Sequence, residues 1–383
     1  MIEHRHTPST FLILDSGLFL PVGHHFGYNE SVADAVRKLG VDTRIYGAKR
    51  TTSAEILSSS SASFSTCLYD RFPASDLSRR LLIHANEILS ILFRHGCDAL
   101  PIVFFPNASI LDLLALNHFP EIISNCAKIS LVLRFFENRG LFTDQEDANQ
   151  MFIEAAQRAS RLDESIRFYT DTPALVRAWS EVGIETSLIP IPITEKIYYT
   201  PPFEPKRFQL CSLGQTSPEK GLYDNLNLLA SLSKCEPPVN SFFQTTYYSV
   251  DENLRASLPN VIFNTIPLPT PDYYAILSES SVYLNLYNPT AYAHGSSNSL
   301  LEAVIAGCLP LCSDYTFARE ILGHFSHFFI AGDSIHSREQ KLRELLQCSG
   351  RINDISLGLH FLAKKLRSIH NPSALAQHLL TDV

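Results

Sequence analysis

The stretch HGSSNSLLEAVIAGCLPLCSD, residues 294–314, decides how this chain is read. Leu300, Leu301, Val304 and Ile305 recur at spacings of one, three and four, which puts them on one face of a helix beginning near Ser299. The residues before them are small and polar, as in a tight loop feeding a helix N-terminus. Gly307 suits the helix C-terminus. Cys308 to Cys312 is a short apolar run and reads as a buried strand. A helix N-terminus behind a Gly/Ser loop offers unpaired N–H groups and about half a positive charge, which favours an anion. A purely local reading also fits: Ser299-x-x-Glu302 has capping-box spacing, in which Glu302 only satisfies an orphan N–H.

Outward from this stretch, strand and helix alternate. Residues 11–14 are an apolar run, the loop DSGLFLPVGHH follows, and Val32, Val36 and Leu39 share a helical face that Gly40 ends. VDTRIYG is the next strand, so the chain opens with a β-α-β unit, the building block of a parallel sheet. Further strands are expected at 99–105, 129–136, 165–172 and 187–193, with helices at 81–92, 145–161 and 173–183. SSSSASFS (58–65) reads as a mobile serine-rich loop. Pro190, Pro192, Pro201, Pro202 and Pro205 then crowd a segment that fits neither a helix nor a central strand.

A second α/β series follows. FQLCSLG is a strand, QTSPEKG a loop and residues 222–234 a helix; FFQTTYYSV, NVIFNTI and SVYLNLYN are strands, DYYAILSES is a helix and HFFIAG (327–332) a final strand. The expected organisation is an N-terminal Rossmann-like domain over residues 1–193 and a linker at 194–206. A C-terminal Rossmann-like domain spans 207–365, and a closing helix at 366–383 returns to the N-terminal domain. The fold class is α/β, two doubly wound halves facing a central cleft. In open α/β sheets ligands bind beyond the carboxyl ends of the strands, so chemistry belongs in the strand-to-helix loops.

Bulk properties narrow the function. The 383 residues carry a net charge of −8, against the basic footprint of a nucleic-acid binder. An anionic ligand must therefore be held by local positive charge. No apolar run reaches the roughly 18 residues of a membrane span. The eight cysteines form no CxxC or Cys/His cluster, so no metal site is expected, and a reducing cytoplasm is the expected location.

The loops supply the candidates. Gly23-His24-His25 follows the first strand; the glycine permits close backbone approach, and the imidazoles can bond a substrate or shuttle a proton, or simply be solvated. Arg134 and Glu137 end a strand and read either as contacts to one or other substrate or as a weak surface ion pair. Lys220 sits at a helix N-terminus, where a cation opposes the dipole by about 0.3–1 kcal/mol unless an anion is bound; the alternative is a solvated turn lysine. Neither the GxxxxGK[ST] nor the GxGxxG spacing is present.

At these residues the sequence resembles the retaining glycosyltransferases of the GT-B fold, the "group 1" family. That family opens its second domain with a Gly-Arg…Lys-Gly loop and carries a Glu-x7-Glu signature ending in Glu-Ala…Gly-x-Pro-Val. This chain has LGQTSPEKG (213–221), then VYLNLYNPTAYAHGSSNSLLEAVIAGCLPLCSD (282–314) and Ala318-Arg319-Glu320. Its first half matches through the Gly-His loop, FYTDTPALV (168–176) and IPIPI (189–193). The resemblance covers nearly the whole chain, most strongly residues 208–322. It implies an acceptor-binding first domain, a nucleotide-sugar-binding second domain, and a donor site of Gly23, Gly214, Gln215, Lys220, Ser297, Asn298, Ser299, Leu300 and Glu302. Lys220 would hold the diphosphate, Glu302 the ribose hydroxyls, and the Ser299 and Leu300 N–H groups the phosphates. Lys220, His294 and His24 would be catalytic; His25, Arg134 and Glu137 would meet the acceptor.

Two positions depart from the family. Gln215 replaces the phosphate-binding arginine, and His294 replaces the first glutamate of the signature. The resemblance implies transfer of a sugar from a nucleotide-diphosphate sugar to a hydroxyl acceptor, such as a glycan in polysaccharide biosynthesis. Configuration would be retained, with no metal and no cofactor beyond that co-substrate. Some members dock peripherally on membranes through basic residues; the nearest here are Lys49, Arg50, Arg79, Arg80 and Arg94. The alternatives are an epimerase or phosphorylase-like enzyme on the same fold, or a catalytically impaired subunit that binds nucleotide or glycan and supports a partner.

Overall fold

Each β-α-β unit of the sequence becomes a parallel strand pair. The computed structural model describes residues 10–20, 24–96, 99–134, 148–233, 238–245, 250–347 and 352–381. The chain divides into two units, Met1–Pro192 with Asn371–Val383, and Ile193–His370.

The first unit holds β1 (Thr10–Leu14), β2 (Asp42–Ala48), β3 (Ser61–Phe64), β4 (Ile102–Phe105), β5 (Lys128–Val132), β6 (Ile166–Thr170) and β7 (Ser187–Leu188). They form one sheet in the order β3-β2-β1-β4-β5-β6-β7. Every pairing is parallel; Ile13, for example, lies between Ile45 and Phe104. Alternate residues of β1 feed opposite faces, as the strand period of two requires. Phe11 and Ile13 join Val32 and Val36 of the helix His24–Lys38, together with Leu375, Ala376 and Leu379 of the helix Pro372–Thr381. Leu12 and Leu14 join Ile88, Leu92 and Leu113 on the other side. A parallel sheet covered on both faces explains why its strands are continuous apolar runs.

The second unit holds β8 (Phe208–Ser212), β9 (Ser241–Gln244), β10 (Val261–Asn264), β11 (Ser280–Asn285) and β12 (Leu309–Cys312), in the order β10-β9-β8-β11-β12. Residues 194–206 belong to this unit, and Thr200 N–H donates to Ala306 O at 3.0 Å. In both sheets the chain runs outward to one side and then returns to the other. The reversal falls between β1 and β4 in the first and between β8 and β11 in the second. Those switch points leave a crevice beyond the strand ends, where ligands bind in such sheets.

Several expectations need correcting. The serine-rich segment is not a loop: Ala54–Ser59 is a helix, capped by the Ser53 hydroxyl, and residues 61–64 are the edge strand β3. Small serines are tolerated there because an edge strand buries only part of itself; here Ser63 and Phe64 are buried while Ser61 and Ala62 are exposed. The strand expected at 187–193 is cut to two residues, since Pro190 and Pro192 lack the N–H that a ladder needs. HFFIAG supplies a short helix, Ser326–Phe329, and only an isolated bridge from Ile330 to Cys312. No described helix is long and apolar enough to cross a membrane.

Candidate functional site

The helix of the opening stretch runs Asn298–Ala306, one residue earlier than its apolar spacing suggests. Its N-cap is Ser297, whose hydroxyl accepts the Leu300 N–H at 3.2 Å. Ser299 is therefore inside the first turn, and the capping box expected between Ser299 and Glu302 does not form. The Leu300 N–H expected to meet a phosphate is used by this cap, which leaves the Asn298 and Ser299 N–H groups as the open donors of the first turn. Gly307 closes the helix at φ 92°, and a Cβ there would lie 2.1 Å from Thr200 O.

The cap rests on a buried tyrosine network. Ser299 Oγ is 3.2 Å from both Ser297 Oγ and Tyr287 Oη. Asn285 Nδ2 donates to Ser297 Oγ at 3.3 Å, and Tyr315 donates its hydroxyl to Asn285 Oδ1. The Tyr287 ring stacks on Tyr315, 5.7 Å between centroids, and lies 4.5 Å from Tyr292. Ser297, Asn298 and Ser299 are all buried. The loop that presents the helix N-terminus is thus fixed from beneath. His294, upstream in the loop, is half-buried.

Lys220 reaches the same edge from the neighbouring strand. After β8 the chain turns at Gly214 (φ 92°), forms a 3-10 turn over Pro218–Lys220, and passes Gly221 (φ 75°) into the helix Leu222–Leu232. A Cβ on Gly221 would lie 1.9 Å from Leu286 O. That contact requires glycine, and it seats the turn on the chain leaving β11. Asn288 N–H donates to Glu219 O at 2.9 Å, and the Tyr283 hydroxyl to Leu213 O at 3.2 Å. Gln244, from the end of β9, accepts the Gly214 N–H on Oε1 at 2.8 Å and the Thr216 hydroxyl on its carbonyl at 2.9 Å. Gln215 is left exposed. Among the described residues, nothing hydrogen-bonds or pairs with the Lys220 ammonium.

Glu302, on the helix Asn298–Ala306, is half-buried. Tyr273, on the helix Thr270–Ser278, donates its hydroxyl to Oε2 at 2.9 Å. Burial pushes the Glu302 carboxyl up to about 7, although hydroxyls from Tyr273 and Tyr274 favour its anion. A carboxyl so placed takes hydrogen bonds from hydroxyls, and it holds its own proton until near neutrality.

The first unit shows a different arrangement at its switch point. Asp15 ends β1 and is 2% exposed. Its Oδ1 accepts the Gly17 N–H at 2.9 Å, and Oδ2 accepts Asn29 Nδ2 at 2.6 Å and His25 Nδ1 at 2.7 Å. Burial alone would raise its pKa, but the His25 charge and these hydrogen bonds hold it below the usual carboxylate range. His25 Nε2 faces the hydroxyl of Tyr69. Arg134 is no surface residue: its side chain is 13% exposed, Nε donates to Pro106 O at 3.0 Å, and the guanidinium lies 4.4 Å over the Tyr28 ring and 3.8 Å from Asp171.

No protein-family model and no curated protein matches the sequence. Solved structures match it end to end. Sucrose-phosphate synthase from Thermosynechococcus elongatus is 13% identical, with 97% of each chain covered and a TM-score of 0.69. WaaG, a glycosyltransferase involved in lipopolysaccharide biosynthesis, is 14% identical over 97% of this chain and 99% of that one, at a TM-score of 0.63. Anabaena HepE, solved in complex with UDP-glucose, is 12% identical over 97% and 98%, at 0.66. The fold is GT-B.

Within this GT-B chain, hydrogen bonds connect the loops that carry Gly214, Lys220, Ser297, Asn298 and Ser299, while Glu302 and Gln215 lie on the same two segments. His25 and Arg134 fall in the first unit, and Gly23 and Glu137 lie outside the described residues. His24 is the first residue of its helix. Sequence reasoning missed Asp15, Tyr69, Tyr273 and Tyr274. Asp15 had a signal, a carboxylate directly after the apolar run FLIL and two residues before a glycine. The tyrosines had none, because each acts across a long sequence separation. The basic residues named as the nearest candidates for membrane docking are mostly neutralised: Lys49 pairs with Glu87, Arg50 with Asp70, and Arg79 and Arg80 with Asp76.

Proposed function

We propose that the protein is a retaining glycosyltransferase that moves a sugar from a nucleotide-diphosphate sugar to a hydroxyl acceptor, a glycan in the first instance, without a metal ion. The observation that carries this is the Lys220 ammonium. It has no partner among the described residues and stands on a turn locked to the chain that leads to an open helix N-terminus. Cleaving the sugar–phosphate bond builds negative charge on the diphosphate. Lys220 and the Asn298 and Ser299 N–H groups supply fixed positive charge for it, the preorganised electrostatics that contributes most in such reactions. Glu302, with its tyrosines, offers acceptor oxygens to ribose hydroxyls. Retention and transfer of the acceptor's proton to the departing phosphate oxygen rest on the family resemblance. So do Gly23 and Gly214 beside the diphosphate and His24 and His294 beside the sugar. The reaction is placed in the cytoplasm.

A thermal-shift titration with UDP, GDP, ADP and CMP tests this, comparing wild type with Lys220→Ala. A ligand at 100 times its Kd adds about 2.7 kcal/mol of stability. The expected result is a shift with one nucleotide, UDP first, that the mutant loses. A second reading, an impaired subunit that binds nucleotide without turning it over, is favoured by Gln215: it is uncharged and exposed where a fixed cation would assist the leaving group. Nucleotide binding without release of nucleotide from any sugar nucleotide would select it.

A further inference from the structure

We propose that Gln244 is the positioning residue of the turn that carries Lys220. Strung between the ends of β8 and β10, it holds the backbone on either side of Gln215 and so sets where the ammonium stands for a nucleoside diphosphate. The proposal deepens the transferase reading and rests on it for the kind of ligand.

Gln244 is the last residue of β9, the strand that lies between β8 and β10 in the second sheet. A primary amide taken out of water must find partners for its oxygen and its N–H groups. Gln244, 3% exposed, finds them on the neighbouring loops. Oε1 accepts the Gly214 N–H at 2.8 Å, just beyond β8, and Nε2 donates to Ile266 O at 3.2 Å, just beyond β10. A flipped amide would face N–H with N–H and carbonyl with carbonyl, so the side chain is held in one orientation. The Gln244 carbonyl takes a further contact, the Thr216 hydroxyl at 2.9 Å. Gly214 and Thr216 are thus both fastened to one residue, and Gln215 between them is exposed.

Thr216 is buried and leads straight into the turn. Ser217 closes it, its carbonyl accepting the Lys220 and Leu222 N–H groups at 2.9 and 3.1 Å. The far side of the turn is seated on the chain leaving β11, through Gly221 and the bond from Asn288 to Glu219. Its near side starts from the contacts of Gln244. Gly214 bends the chain at φ 92° with open space where a Cβ would be, so packing does not hold the bend from that direction and the N–H bond to Gln244 does. A cation set in place before its anion arrives binds more tightly than one that must be ordered on binding, because less freedom is lost in the event.

The test uses the full chain and calorimetry with UDP, GDP and ADP. Gln244→Met fills similar space and makes neither side-chain bond. It should bind nucleotide about tenfold more weakly than wild type. A merely structural role would lower its unfolding temperature and leave the affinity of the folded protein unchanged. Gln244→Glu is the rescue: at about pH 5 a buried carboxyl keeps its proton, so its C=O takes the Gly214 N–H and its O–H reaches Ile266 O. Most of the affinity lost in Gln244→Met should return in it at that pH. Thr216→Val, which removes the contact to the Gln244 carbonyl, should weaken binding several-fold and decides the matter if Gln244→Met does not fold. Wild-type affinity in the deciding variant, or a Gln244→Glu as weak at that pH as Gln244→Met, would overturn the proposal. Nucleotide lost in Lys220→Ala but kept in Gln244→Met would sink this proposal alone, whereas a wild type that binds none of the three would sink the transferase reading with it.

Discussion

The carboxyl ends of β1 and of β8 with β11 occupy equivalent places in their two sheets, yet they treat polar groups in opposite ways. Beyond β1, Asp15 is saturated by the protein's own donors, and the chain of hydrogen bonds ends on Tyr69. Beyond β8 and β11, the scaffold is saturated while Lys220 and the first-turn N–H groups are left open. A closed network fixes geometry; an open set of positive groups is tolerable in solvent and becomes favourable only when an anion arrives. The first arrangement fixes the chain that leaves β1, and the second leaves positive groups for a charged ligand.

The sharpest way to break the contrast is through its glycines. Gly221→Ala meets the backbone, 1.9 Å from Leu286 O at φ 75°, and should cost about 3 kcal/mol or more in urea unfolding, or abolish folding. Gly17→Ala meets side chains rather than backbone, the His25 ring at 2.5 Å and Asp15 Oδ1 at 3.1 Å, so its cost should be nearer ~1 kcal/mol. Equal losses would show that the first site is as rigid as the second. Next in size, Lys220→Ala should weaken nucleoside diphosphate binding by about 10- to 100-fold, the loss of a hydrogen bond to a charged group, while Asp15→Asn leaves it unchanged by calorimetry. A comparable loss in Asp15→Asn would erase the division of labour.

Glu302 gives a pH signature. Its folded pKa of about 7 lies above the ordinary 4.5, so the folded state keeps a proton that the unfolded chain releases. Its contribution is complete below pH 4.5, is lost progressively as pH rises to about 7, and is flat beyond. Glu302→Gln, neutral throughout, should remove that decline, gaining roughly 1–3 kcal/mol over wild type across the window. A constant difference between the two proteins would place the carboxyl in solvent. The smallest effect belongs to Gln215→Arg, which should tighten UDP a few-fold by adding the missing cation; no change would mean that this exposed position does not reach the phosphates.

The parallel sheets were legible because residues such as Phe11–Leu14 and Leu309–Cys312 are buried on both faces and so are written as unbroken apolar runs. The helix Asn298–Ala306 and its end at Gly307 were legible from period and glycine. What escaped notice depends on partners rather than pattern. β3 is a serine-rich edge whose strand character comes from Tyr46 and Gly47 beside it. Glu302 matched a capping-box spacing, but the helix starts two residues too early for that box, and its carboxyl meets Tyr273, 29 residues upstream. His25 was legible as a candidate, whereas its orientation required Asp15 and Tyr69, which no local period links to it.

One feature of the first unit bears on how the protein is made. The helix Pro372–Thr381 covers Phe11 and Ile13, and Leu379 O accepts Lys128 Nζ at 3.0 Å deep in the sheet. These residues leave the ribosome only after all of Ile193–His370 has been synthesised. During that interval the growing chain carries an uncovered apolar sheet face, and the Leu379 carbonyl that Lys128 will meet has not yet been made. The second unit, being continuous, is free to fold first although it is made later, so the order of folding need not follow the order of translation. A chain ending at residue 370, held on the ribosome by a linker long enough to clear the exit tunnel, should therefore have a downstream half that resists protease while its upstream half still binds a chaperone.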